Sequence, residues 1–181
     1  MDSATAQDVM GAALERGALV PSFIFVFIWS TLVYDPIACW VWNPNGWLYK
    51  LGMLDFAGGG PVHICAGSTG LAYALVLGRR RAPDGRISPK VPNYRPHNTS
   101  LMCLGIVLIW FGWFGFNGGS ALNATLRSTY AATNTNLAAS CAVLTWVLLD
   151  RVMVGKWSAV AAASGALAGL IGMLPENHFW F

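Results

Sequence analysis

Five long apolar runs dominate this chain, and they leave it very few ways to fold. They cover Leu19–Trp42, Phe56–Gly78, Leu101–Ala121, Thr129–Leu149 and Trp157–Leu174. The hydrocarbon core of a bilayer is roughly 30 Å thick, which about 20 mostly apolar residues cross as a helix. Helix is the physical requirement, because lipid offers backbone amides no partner and an open strand edge stays unsatisfied. A β-barrel fits poorly, since the runs are too long and lack apolar–polar alternation. Composition agrees: 55% of the 181 residues are hydrophobic and 10% are charged, with a mean hydropathy of +0.51. Soluble domains carry about 25% charged residues. The expected fold class is an all-α integral membrane protein with five transmembrane helices.

The net charge of +3 does not point to nucleic acid, because basic residues sit between apolar runs and build no long patch. Their distribution instead sets an orientation. Arg16 precedes the first run; Arg79, Arg80, Arg81, Arg86, Lys90 and Arg95 lie between the second and third; Arg151 and Lys156 join the fourth and fifth. Only Lys50 and Arg127 fall on the other side, so nine basic residues oppose two. The positive-inside bias predicts a cytoplasmic N-terminus, a cytoplasmic loop over 79–100 and a C-terminus outside. Pro83, Gly85, Pro89, Pro92 and Pro96 block regular structure in that loop. No cleavable signal peptide is expected, since Asp2, Asp8 and Glu15 interrupt the first eighteen residues.

Cys39, Cys65, Cys103 and Cys141 lie in apolar stretches with no Cys-x-x-Cys pair and read as buried free thiols. Phosphate-loop, nucleophile-elbow and zinc-protease motifs are missing, so no enzyme, metal or cofactor is expected. Gly115/Gly119 and Gly165/Gly169 have the small-residue spacing of close helix packing.

Polar groups inside a span are functional candidates. His63 falls between Val62 and Ile64 in the second run. A neutral imidazole offers one donor and one acceptor, suited to a small polar solute or a proton relay; a core histidine bonded to a carbonyl is the competing reading. Asp55, just before Phe56-Ala57-Gly58, can cap free amides, worth about 1 kcal/mol, and can also shape a vestibule. Asp35 beside Pro36 reads as structural, at a bend. The stretch from Trp110 to Asn117 is rich in aromatic rings, whose faces can hold a cation or simply pack. Asn134 and Asn136 are expected to bond across helices.

The segment Asp55–Arg80, DFAGGGPVHICAGSTGLAYALVLGRR, resembles the signature of the ammonium transporter (Amt/Mep/Rh) family, with a histidine eight residues after the Asp. FGWFGFNGGSALNA (Phe111–Ala124), VPSFIFVFIWSTLVYDPIACWVW (Val20–Trp42), NYRPHN and TNLAAS extend the resemblance, especially to fungal members, up to about Leu174. It implies five helices, the fourth to eighth, of an eleven-helix bundle of two inverted halves that assembles as a trimer. By resemblance, His63 matches the first of two pore histidines, Trp42 a vestibule Trp and Ser120 a vestibule serine. Phe116 matches one of two gate phenylalanines, Trp113 a pore-wall Trp and Asp55 an essential acid. The implied function is ammonium or ammonia conduction across the plasma membrane, with lipid and ammonium as partners and no nucleic acid. The second pore histidine and the other gate Phe belong to helices outside this chain. The ending from Pro175 to Phe181 departs from the family's glycine-rich continuation, so a truncated product with impaired transport is expected. The alternatives are a sensing or regulatory subunit of full-length trimers, or a non-functional fragment.

Overall fold

In a computed structural model, the described residues are 3–13, 17–79 and 96–173. They are all-helical, and four helices are long and apolar enough to cross a membrane: Leu19–Lys50, Gly59–Leu77, Thr99–Gly119 and Leu126–Met153. A fifth apolar helix, Ala159–Gly172, is shorter. Most of the basic loop, residues 80–95, lies outside the described residues, as does 174–181. The chain divides into two compact units, one of residues 1–53 with 60–95 and one of 54–59 with 96–181.

The first unit contains an element that the apolar pattern did not announce. Helix α1, Ser3–Ala13, packs against α5, Cys65–Leu77. Thr5 and Val9 are each 1% exposed and, four residues apart, share one face of α1. Helix α2, Leu19–Trp29, runs through a π-helical turn, Ser30–Tyr34, into α3, Asp35–Trp42. Pro36 explains the wide turn. It lacks an N–H, and its ring crowds the carbonyl four residues back. The helix there closes a longer ring instead, with the Asp35 N–H donating to the Ser30 carbonyl. A second π-helical turn, Gly59–Ile64, contains Pro61 and leads into α5. A short helix α4, Trp47–Lys50, follows α3, with the Trp40 and Trp47 rings 6.0 Å apart. The core of this unit is Val9, Trp29, Tyr34, Val62, Cys65 and Ala66. The Trp29 indole N–H donates to Thr69 Oγ1 at 3.0 Å, and the Thr69 hydroxyl donates to the Cys65 carbonyl at 2.8 Å.

The second unit is built from α6, Thr99–Gly119, α7, Leu126–Met153, and α8, Ala159–Gly172. Asn98 caps α6 by accepting from the Leu101 N–H at 2.9 Å, and Ser158 caps α8 by accepting from Ala161 at 3.3 Å. Gly165 and Gly169 let α8 press onto α7. A Cβ at Gly169 would lie 2.7 Å from Ala139 Cα, and one at Gly165 would lie 2.9 Å from Trp146 Cβ. The other small-residue pair behaves differently: a Cβ at Gly115 or Gly119 meets nothing within 4 Å among the described residues.

All four cysteines are free, but burial corrects the sequence reading. Cys65 is buried, whereas Cys39, Cys103 and Cys141 are exposed. An apolar run that faces lipid looks the same in sequence as one that faces a core. The same cause leaves Phe23, Phe27, Leu32, Leu104, Phe111 and Leu144 at least half exposed.

Candidate functional site

His63 falls on the π-helical turn Gly59–Ile64, with its side chain 12% exposed. Such turns inside α-helices are rare and recur at functional sites. Its Nδ1 lies 3.0 Å from Asp8 Oδ2 of α1, a partner that sequence reasoning missed. In sequence Asp8 stands out only as a charge interrupting the N-terminal stretch. Trp42 ends α3 in the same unit and is 40% exposed.

In the second unit, the Asp55 carboxylate folds the segment before the π-helical turn back on itself. Oδ1 accepts from the Gly58 N–H at 2.5 Å and the Gly59 N–H at 3.1 Å. Gly58 has φ +104°, a conformation open to glycine and strained for residues with a Cβ. The Arg127 guanidinium lies over the ring of the adjacent Phe56, 5.6 Å from its centre.

Trp113, Phe116 and Ser120 all lie at the C-terminal end of α6 or on its cap. Spacings of three and four place them on one face. The Trp113 and Phe116 rings are 5.4 Å apart and tilted by 44°. Ser120 donates its hydroxyl proton to the Phe116 carbonyl at 2.7 Å, so its oxygen presents lone pairs outward. That arrangement can take N–H donors and offers π faces beside them, which are the contacts a small, donor-only cation needs.

Beside this face the helix is tied to α7. Asn117 and Thr135 are both 0% exposed, and the Asn117 amide donates to Thr135 Oγ1 at 2.7 Å. Ser128 donates to the Gly118 carbonyl at 2.7 Å. The Trp110 indole donates to Asn136 Oδ1 at 3.2 Å, which realises the interhelical bond expected of Asn136. Thr135 was not singled out in sequence, because a threonine in an apolar helix ordinarily bonds its own backbone. Among the described residues, no group of three or more His, Cys, Asp or Glu side chains gathers to hold a metal ion.

A model of the Ammonium Transporter Family matches residues 2–180. The chain belongs to the ammonium transporter family. Ammonium transporter MEP2 of Saccharomyces cerevisiae is 51% identical over 172 residues, covering 94% of this chain and 34% of that protein. The crystal structure of Candida albicans Mep2 superposes with a TM-score of 0.86 at 52% identity, covering 96% of this chain and 38% of that one. A solved Sensor Amt Protein gives a TM-score of 0.85 at 31% identity, covering 97% and 44%. The chain thus spans about a third of the length of the family relatives it matches. It is a multi-pass membrane protein, as its apolar helices require.

Proposed function

We propose that this chain forms part of a plasma-membrane ammonium-conducting protein and does no enzymatic chemistry. In that protein Trp42, Asp55, His63, Trp113, Phe116 and Ser120 belong to the conduction path. The observation that carries this reading is His63: an imidazole sits on a π-helical turn inside an apolar span, with a specific hydrogen-bonding partner. Such a group is costly in lipid and is retained where a polar solute or proton passes.

The chemistry follows from charge. A bare cation cannot enter an apolar lumen cheaply. At the mouth, the Ser120 oxygen accepts an ammonium N–H while the faces of Trp113 and Phe116 replace part of the hydration shell. Each desolvated cation–π contact is worth about 2 kcal/mol. Deprotonation to water at the mouth then removes the charge; the proton travels separately, and neutral ammonia continues along the imidazole of His63. Asp55 holds the mouth in shape through its two backbone hydrogen bonds. In this reading the helices at 19–42, 56–78, 101–121, 129–149 and 157–174 all span, the loop over 79–100 is cytoplasmic, and the assembly is a homotrimer.

The test is a chimera in which this chain replaces the matching third of the Saccharomyces protein, in yeast that lacks its own ammonium transporters. Growth on low ammonium that disappears with His63→Ala at equal surface level is expected. A well-expressed chimera without methylammonium uptake overturns the proposal. The chain alone is expected to give no saturable uptake. The likeness to a solved Sensor Amt Protein favours a second reading, ammonium sensing. Ammonium binding by a chimera that conducts nothing supports that reading instead.

A further inference from the structure

Asp8 is the carboxylate that meets His63, and its placement is enforced by packing. Thr5, Asp8 and Val9 stand at i, i+3 and i+4 of α1 and share one face. Thr5 and Val9 are each 1% exposed, and α1 packs on α5. Asp8 is thereby pinned beside the turn that carries His63, with Oδ2 3.0 Å from Nδ1. Its side chain keeps 45% of its surface exposed while that of His63 keeps 12%. The carboxylate therefore stands at the more open edge of the pair and the ring lies inside.

An ionised carboxylate only accepts hydrogen bonds, and an imidazole nitrogen donates only when it carries a proton. We infer that Asp8 is a positioning residue for His63. It accepts the Nδ1 proton, holds the ring as the Nδ1–H tautomer and makes Nε2 the ring's acceptor. The hydrogen bond at one ring nitrogen decides what the other nitrogen can do.

The consequence for the solute rests on the conduction reading above; the pairing itself does not. Neutral ammonia carries N–H donors as well as a lone pair, so an acceptor Nε2 takes it as a donor. A ring fixed the other way, with a proton on Nε2, would suit the lone pair of ammonia. Asp8 thus sets whether ammonia meets this imidazole through an N–H or through its lone pair.

The ring state can be read without any transport. The full chain carries three histidines, so replacing His97 and His178 with Gln leaves His63 as the sole imidazole. The labelled chain is reconstituted in lipid bilayers without ammonium, and its 15N resonances are assigned by solid-state NMR. The expected result is an unprotonated Nε2 and a protonated Nδ1. Asp8→Ala should lower the Nδ1–H to Nε2–H ratio by about tenfold or more, as loss of a hydrogen bond to a charged group implies. Asp8→Glu should restore most of it. If Asp8→Ala does not fold, Asp8→Leu keeps the apolar bulk of the helix face and should show the same loss. A parent chain with its proton on Nε2 overturns the inference. So does a ratio unmoved by Asp8→Ala at unchanged helicity. Because the readout contains no ammonium, a chimera that conducts nothing leaves an Asp8-dependent tautomer standing.

Discussion

Asn117 and Thr135 form a two-step relay between helices: the amide donates to the threonine hydroxyl at 2.7 Å, and that hydroxyl donates to the Ala131 carbonyl at 2.6 Å. Both side chains are fully buried, so neither can recover a lost bond from water. Thr135→Val is expected to destabilise the α6–α7 pair by about 1–2 kcal/mol, the upper range for hydrogen bonds between membrane helices. Asn117→Leu combined with Thr135→Val should cost less than the sum of the singles, because no amide is then stranded. A double-mutant cycle from detergent unfolding checks this; strict additivity would show that the two side chains are not coupled.

The two small-residue pairs should respond in opposite ways to added bulk. Gly169→Leu forces α8 away from Ala138, Ala139 and Ala142 and is expected to cost about 3 kcal/mol or more by overpacking. Gly115→Ala meets nothing within 4 Å among the described residues and should be neutral, or stabilising by up to about 1 kcal/mol through helix propensity. Unfolding of both variants in the same detergent decides it, and equal effects would contradict the packing described.

Asp55 separates its charge from its hydrogen bonds under substitution. Asp55→Asn keeps an oxygen that can accept from Gly58 and Gly59, so folding should change by less than about 1 kcal/mol. Asp55→Ala removes the acceptor and should cost about 1–2 kcal/mol. Uptake by the chimera then reports what the charge itself contributes. A normal rate with Asp55→Asn would restrict this residue to shaping the mouth.

Orientation is open to direct labelling. Exposed His97 and Asn123 flank α6 at opposite ends. With the natural cysteines replaced, a membrane-impermeant maleimide added to intact cells should label Asn123→Cys. It should reach His97→Cys only after permeabilisation, and the sequon at Asn98 should carry no glycan. Labelling of His97→Cys from outside would reverse the orientation drawn from nine basic residues against two.

The helical class was legible because runs of this length in lipid have no other way to satisfy their backbone. Helix α1 was not, because Gln7 and Asp8 break its apolar pattern; what holds it is a face of Thr5 and Val9 that only packing reveals. Pro36 announced a bend, but the widened turn around His63 was not anticipated, since Pro61 sat unremarked inside an apolar run. The glycine pairs have identical spacing, and spacing cannot tell whether a second helix lies across from them. Asp8 shows the same limit in the candidate site: a carboxylate 55 positions before His63 gives no sign in sequence of meeting its ring.

The junction of α7 and α8 bears on how the protein is made. Helix α8 has 14 residues, about 21 Å at 1.5 Å per residue, which is short of a bilayer core. Gly155 turns the chain with φ +79°, Arg151 donates to the Gly155 carbonyl, and its guanidinium lies over the Trp157 ring. The 28-residue α7 already carries the glycine-matched surface that α8 needs. The two helices are therefore built to enter the bilayer together, as one hairpin leaving the translocon. Helix α7 is long and apolar enough to cross on its own, so it is α8 that depends on the pairing to settle in lipid.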